Sequence, residues 1–140
     1  MELEALLSRP LLAFVAAYGP TVRPVWFAYE EGAFWWLTGS WARLPEILSE
    51  HPHVALVIVD CNLATGEIHQ VHAQGSAEVV DFDADRARRL LVRYLGPNES
   101  SWDTQFREET FGDPSVRFAR LTPEEIRMRD LSFTPSDSNA

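Results

Sequence analysis

Short apolar segments, separated by turns of only a few residues, are the feature that most limits how this chain can fold. Residues 21–29 are rich in β-branched and aromatic side chains, and Glu30-Glu31-Gly32 leads directly into a similar run at residues 33–38. A connection this short joins antiparallel neighbours, because parallel strands need a crossover of a dozen or more residues. The sequence therefore predicts that these two runs pair as a hairpin and that the fold is built on a sheet.

Other parts of the chain carry the same strand signal. The apolar run at residues 11–18 predicts a strand that is buried on both faces. Gly75 lies inside the long strand predicted at residues 67–80, where it indicates a bulge or a close backbone approach. Further strands are predicted at residues 54–60, 116–121 and 126–133.

Helical spacing appears in three places. A short helix is predicted within residues 2–8, and a second begins after an irregular loop at residues 39–43, because Pro45 is tolerated only in a first turn. Asp83 is expected to cap a third helix. The four arginines of that helix are expected mostly on its solvent side: Arg86, Arg88, Arg89 and Arg93.

These elements predict the fold class α+β, as a β-rich barrel of six or seven mainly antiparallel strands with two or three outer helices. Residues 96–114 show no clear period and are expected to form a long loop or a short helix. We expect a single domain over residues 1–133 and a disordered polar tail at residues 134–140.

Charge and composition exclude several functions. Acidic residues number 21 against 12 basic ones, and every basic residue is arginine, so a Schiff-base lysine or a Walker-type phosphate lysine is ruled out. The net charge of −9 argues against nucleic-acid binding. Neither a signal peptide nor a membrane span is indicated, and the single cysteine, Cys61, points to a reducing cytoplasmic setting.

No metal site or acid–base catalytic motif is predicted from the residues. His69 and His72 stand three positions apart on a strand and therefore face opposite sides of it. The sequence contains no defensible Ser-His-Asp order, pair of catalytic carboxylates or glycine-rich dinucleotide motif. Any redox chemistry would then depend on a bound cofactor.

Five local motifs, taken in order, resemble the flavin-binding split-barrel proteins, the superfamily of pyridoxamine 5'-phosphate oxidase. The resemblance spans residues 11–130. The motifs are GPTVRPVWF at 19–27, WLTGSWAR at 36–43, LSEHPHVAL at 48–56, QVHAQGSAE at 70–78 and RLTP at 120–123.

The resemblance implies a split β-barrel that binds flavin mononucleotide (FMN) at the interface of a homodimer and acts as an oxidoreductase on a small molecule. Thr38, Ser40 and Arg43 would donate to the phosphate, with Gly39 allowing close backbone approach. Gln70 corresponds to a family position whose amide hydrogen-bonds the flavin. The remaining cofactor-binding residues, which would supply a strand edge and an apolar wall, are Val22, Arg23, Pro24, Val25, Trp26, Leu37 and Trp41.

One departure from the family pattern falls in the phosphate loop, where Arg43 is followed by Leu44 instead of the lysine that the oxidases carry. A deazaflavin-dependent reductase and a non-enzymatic flavin or haem protein therefore remain open as alternatives, and His72 is the candidate haem ligand. Activity on pyridoxamine phosphate itself is not expected, because the basic-aromatic substrate signature ahead of Arg120 is absent.

Overall fold

A computed structural model describes residues 1–136 of the chain. The expected tail at residues 134–140 falls largely outside the described residues, and the single-domain boundary stays a prediction. In the described part, seven strands form one antiparallel sheet in the order β2-β1-β5-β6-β7-β4-β3. The strands are β1 Leu12–Ala17, β2 Thr21–Trp26, β3 Ala28–Glu30, β4 Ala33–Thr38, β5 His53–Asn62, β6 Glu67–Val80 and β7 Arg117–Asp130.

Helices pack around this curled sheet and confirm the predicted α+β split barrel. The main ones are α1 Leu3–Leu7, α2 Leu44–Glu50 and α3 Ala84–Leu95, and short helical turns occupy residues 99–112. Pro45 lies in the first turn of α2, as predicted. The Asp83 carboxylate caps α3 by accepting hydrogen bonds from the N–H groups of Asp85 and Arg86, at 3.0 and 3.1 Å.

The pairing of residues 21–29 differs from the sequence expectation. Only Ala28–Glu30 forms the predicted hairpin with β4, whereas Thr21–Trp26 pairs with β1. Phe27, between them, is completely buried, and there the chain crosses from one edge of the sheet to the other. One continuous segment therefore supplies both edge strands and brings β2 close to β4.

The expectation that strand β1 is buried on both faces is wrong. Ala13 and Val15 point into the barrel core, whereas Leu12 and Phe14 are 43% and 42% exposed on the outer face of the sheet. The apolar run therefore reflects one core face and one exposed apolar face. The predicted bulge at Gly75 is confirmed: the β6–β7 register shifts there, and a Cβ on Gly75 would collide with the backbone carbonyl of Thr122.

Two apolar clusters hold the barrel and its helices. Trp36, on β4, points into the barrel interior, and its neighbour Trp35 packs on the other face against α3. Arg86 belongs to this second contact and is only 9% exposed, so its expected solvent position is wrong. Its guanidinium carbon lies 3.5 Å from the Trp35 ring centroid, and its Nε donates to Glu30 at 2.9 Å.

Glu30 makes the stability of this contact dependent on pH. Hydrogen bonding from Arg89, and then from Arg86, outweighs desolvation and lowers the pKa of Glu30 to about 2. A lowered folded-state pKa stabilises the protein above the unfolded pKa near 4.5, and this stabilisation is lost as the pH falls toward 2.

We expect acid titration to remove about 1–2 kcal/mol through this group, a figure reduced because Arg89 is half exposed. Urea unfolding at pH 7 and pH 3 should show this loss in the parent protein but a smaller pH difference in Glu30→Gln. Glu67→Gln, which changes an exposed carboxylate without an ion pair in the described residues, is the control. An unchanged pH difference in Glu30→Gln would contradict the assignment.

Candidate functional site

A cavity of about 570 Å³ lies between β2 and β4, where the two strands approach without pairing. Strand β3 is antiparallel to β4 and follows β2 in the chain. Thr21, at the start of β2, is therefore toward the end of β4 and the loop at residues 39–43, whereas Trp26 is toward the start of β4. The cavity therefore has a loop end, near Thr38 and Arg43, and an opposite end beside Trp26.

Strand β2 forms one wall. Arg23 and Val25 are paired with Val15 and Ala13, whose side chains point into the barrel, so their own side chains face the same way. Pro24 and Trp26 also line the cavity. Val22 lies on the opposite face of β2, 64% exposed, and does not line it.

Strand β4 forms the second wall and carries a buried hydroxyl without a partner. Leu37 and Thr38 both line the cavity. Thr38 is 1% exposed, and its Oγ1 has no hydrogen-bond partner within residues 1–136. An unsatisfied buried hydroxyl is costly, which marks this position as one where a polar ligand atom would be stabilised.

The loop at residues 39–43 closes the end of the cavity next to Thr38. Trp41, 60% exposed, lies across Gly39 so closely that a Cβ on Gly39 would collide with the indole ring. Trp41 and Arg43 line the cavity, but Gly39 and Ser40 do not. The Ser40 hydroxyl contacts Ser115 at 2.9 Å instead.

Two arginines of the cavity lack carboxylate partners. Arg23 and Arg43 both line it, are exposed, and form no ion pair within the described residues. The paired arginines lie elsewhere: Arg9, Arg86, Arg88, Arg89, Arg120 and Arg127. Two guanidinium groups without an ion pair in the described residues, in the same cavity as a buried hydroxyl, are a suitable donor set for an oxyanion such as a phosphate.

A third wall comes from the aperiodic segment at residues 96–114, for which the sequence predicts a long loop or a short helix. Residues 105, 106, 109, 110 and 113 line the cavity. Trp26 stacks on Phe106 and on Tyr94 of α3, with ring centroids 5.3 and 4.7 Å apart. The indole therefore joins α3 to this third wall. Phe106, an aromatic residue between polar neighbours, is the sequence signal that points to this wall.

Gln70 does not reach this cavity in the described chain. Gln70 lies on β6 and is paired with Val59 of β5 and Arg129 of β7. Its side chain is on the outer face of the sheet, which also carries Phe14. His72 follows on the same face, and its Nδ1 is buried without a partner within residues 1–136. The outer face therefore carries two of the sequence-predicted groups, away from the cavity.

The described residues contain neither a cluster of metal ligands nor a membrane-spanning helix. No cluster of three or more His, Cys, Asp or Glu side chains in residues 1–136 is arranged to hold a metal ion. Within the same range, no helix is long and apolar enough to cross a bilayer.

The chain is therefore a split-barrel protein with a cavity between β2 and β4. A family model for pyridoxamine 5'-phosphate oxidase matches residues 1–130, and the chain belongs to this family. No curated protein matches the sequence.

Solved structures of other proteins share the fold. The flavocytochrome Anf3 from Azotobacter vinelandii superposes with a TM-score of 0.67 at 20% identity, over 96% of this chain and 68% of that chain. A conserved hypothetical protein from Mycobacterium tuberculosis gives 0.67 at 18% identity, over 100% and 95%. The FAD binding protein from Mycobacterium smegmatis gives 0.60 at 17%, over 93% of each chain. Identities this low show the fold alone.

Proposed function

We propose that the cavity between β2 and β4 binds FMN and that the protein is a flavin-dependent oxidoreductase acting on a small molecule. The observation that carries the proposal is the donor set of the cavity: Arg23, Arg43 and the Thr38 hydroxyl, which has no partner within residues 1–136. Two solved structures with this fold are described as a flavocytochrome and an FAD binding protein, which favours a flavin as the ligand class.

Phosphate binding would depend mainly on these three side chains. Arg43 offers a bidentate fork, and the Thr38 hydroxyl gains a partner that it lacks among the described residues. Leu44 supplies no charge where the family has lysine, but Arg23 reaches the same cavity from β2. We propose that Arg23 provides the second cation, so that the phosphate dianion meets two positive charges.

The ring of the flavin would lie along β2 and β4. Strand β2 is an edge strand, so one side of its backbone has no strand partner within the described residues and can hydrogen-bond the polar rim of the ring. Val25, Leu37 and Trp41 provide apolar surface. A bound flavin would supply the hydride-transfer chemistry, and the protein would position the ring and exclude water from it.

The outer sheet face is proposed to pack against a second copy of the chain. Leu12, Phe14, Val22 and Val59 expose between 38% and 64% of their surface there, which is a large apolar area to leave in water. Gln70 lies on the same face, so a dimer is the arrangement in which its amide could reach a partner's flavin. Cys61 is unpaired, and the proposal places this dimer in the reducing cytoplasm.

The absorption spectrum of the purified protein tests the proposal. We expect two flavin absorption bands in the purified protein. If the purified protein is colourless, adding FMN should produce these bands and quench the flavin fluorescence. Loss of the flavin absorption when a reduced nicotinamide is added would then support catalytic turnover, as opposed to flavin binding alone. A single deazaflavin band or a Soret band would instead assign the cavity to a deazaflavin or to haem. A protein that binds none of these cofactors would refute the proposal.

A further inference from the structure

A chain of hydrogen bonds joins two segments at the loop end of the cavity. The N–H of Ser40 donates to Ser115 Oγ at 3.3 Å, and the two serine hydroxyls are 2.9 Å apart. The N–H of Ser115 donates to Asp113 Oδ1 at 2.8 Å. Hydrogen bonding from Ser115, first of all from its N–H, lowers the pKa of Asp113.

Ser40 is directed toward Ser115 and not into the cavity. Both its N–H and its hydroxyl contact Ser115 Oγ, and either hydroxyl can be the donor in the 2.9 Å contact. Ser40 does not line the cavity. These contacts favour a role in holding the loop over a role as a phosphate donor.

The surrounding strands explain why these segments meet. Thr38 pairs with Arg117 at the last position of the β4–β7 ladder, so the chain after Thr38 runs beside the chain before Arg117. Val116, next to Ser115, is buried and lines the cavity. Trp41 lines the same cavity, one residue from Ser40.

We infer that Ser40, Ser115 and Asp113 form a positioning relay that holds the loop at residues 39–43 in its phosphate-binding conformation. This inference depends on the proposed flavin site and reassigns Ser40 from phosphate donor to positioning residue. The relay constrains Arg43 and the approach to Thr38 through Ser40 and Ser115, which do not line the cavity. Preorganising the loop in this way reduces the entropy that binding would otherwise cost.

Binding of FMN and of riboflavin, which lacks the phosphate, tests the relay by fluorescence titration. Ser115→Ala and Ser40→Ala are each expected to weaken FMN binding by roughly threefold to tenfold, as expected for loss of one or two hydrogen bonds. The double variant should lose little more than either single variant, because both changes break the same chain. Riboflavin affinity should stay within about twofold, since the relay acts through the phosphate end.

Controls separate the relay from other effects. Ser115→Thr keeps the hydroxyl and should bind FMN as the parent protein does. Ser8→Ala removes an exposed hydroxyl that donates to the carbonyl of Ala5 in α1, and it serves as the matched control. Additive losses, with Ser40→Ala costing much more than Ser115→Ala, would show direct contact of Ser40 with phosphate and overturn the inference. Equal losses for FMN and riboflavin would also overturn it. If the parent protein binds neither compound, the proposed function itself fails.

Discussion

Replacing both Arg23 and Arg43 with glutamine is expected to weaken FMN binding by about a hundredfold or more. Each residue would contribute a charge-assisted hydrogen bond to the phosphate, worth about 1.5–3 kcal/mol, and glutamine keeps much of the side-chain length while removing the charge. Two such losses correspond to a change of roughly 100-fold to 10,000-fold in dissociation constant. Fluorescence titration of the single and double variants measures the effect.

Riboflavin and a matched variant provide the controls for this result. Riboflavin binding should change little, because it has no phosphate to pair with the lost charges. Arg107→Gln removes the same charge from an exposed arginine outside the cavity and should leave FMN affinity nearly unchanged. If Arg43→Gln alone gives the whole loss and Arg23→Gln gives none, Arg23 does not compensate for Leu44. Leu44→Lys should strengthen FMN binding in the parent protein.

Replacing Tyr94 with phenylalanine is expected to lower the free energy of unfolding by about 2–3 kcal/mol. The Tyr94 hydroxyl donates to the backbone carbonyl of Leu11 at 2.6 Å and accepts from the N–H of Phe27 at 3.0 Å. Both bonds are made where the chain crosses between the sheet edges. Phenylalanine would leave these backbone groups without partners while keeping the stack on Trp26, so the loss reports the hydroxyl alone.

Urea unfolding of the two proteins measures this difference. Tyr18→Phe, at a tyrosine that is 61% exposed and stacked on His51, should change stability by less than about 0.5 kcal/mol and is the matched control. A loss in Tyr94→Phe no larger than that of the control would mean that the hydroxyl does not hold the crossover at Phe27.

Local pattern was sufficient for most of the strands. The turn at Glu30-Glu31-Gly32, the glycine at the bulge and the aspartate cap are all short-range signals, and each appears in the structure where it was predicted. The partner of β2 could not be predicted in this way. Residues 21–29 have one continuous strand pattern, and only long-range packing around buried Phe27 divides them between opposite edges of the sheet.

The sequence also predicts part of the lining of the cavity. The sequence-predicted positions that line the cavity belong to β2, β4 and the loop after β4: Arg23, Pro24, Val25, Trp26, Leu37, Thr38, Trp41 and Arg43. The wall around Phe106 was missed because its segment has no period that indicates which side chains face inward. Arg86 was misplaced for a related reason, since helical spacing alone does not reveal a cation buried against Trp35.

Pro24 has a consequence for how the molecule behaves in a crowded solution. It lies in β2, at an open edge of the sheet, where the free backbone groups of one molecule could recruit a strand from another and start a fibre. Proline has no N–H, and the adjacent Arg23 adds a charge, so this edge is a poor template for such growth. The same strand can thus keep its carbonyl groups accessible to a small ligand while discouraging self-association along its length.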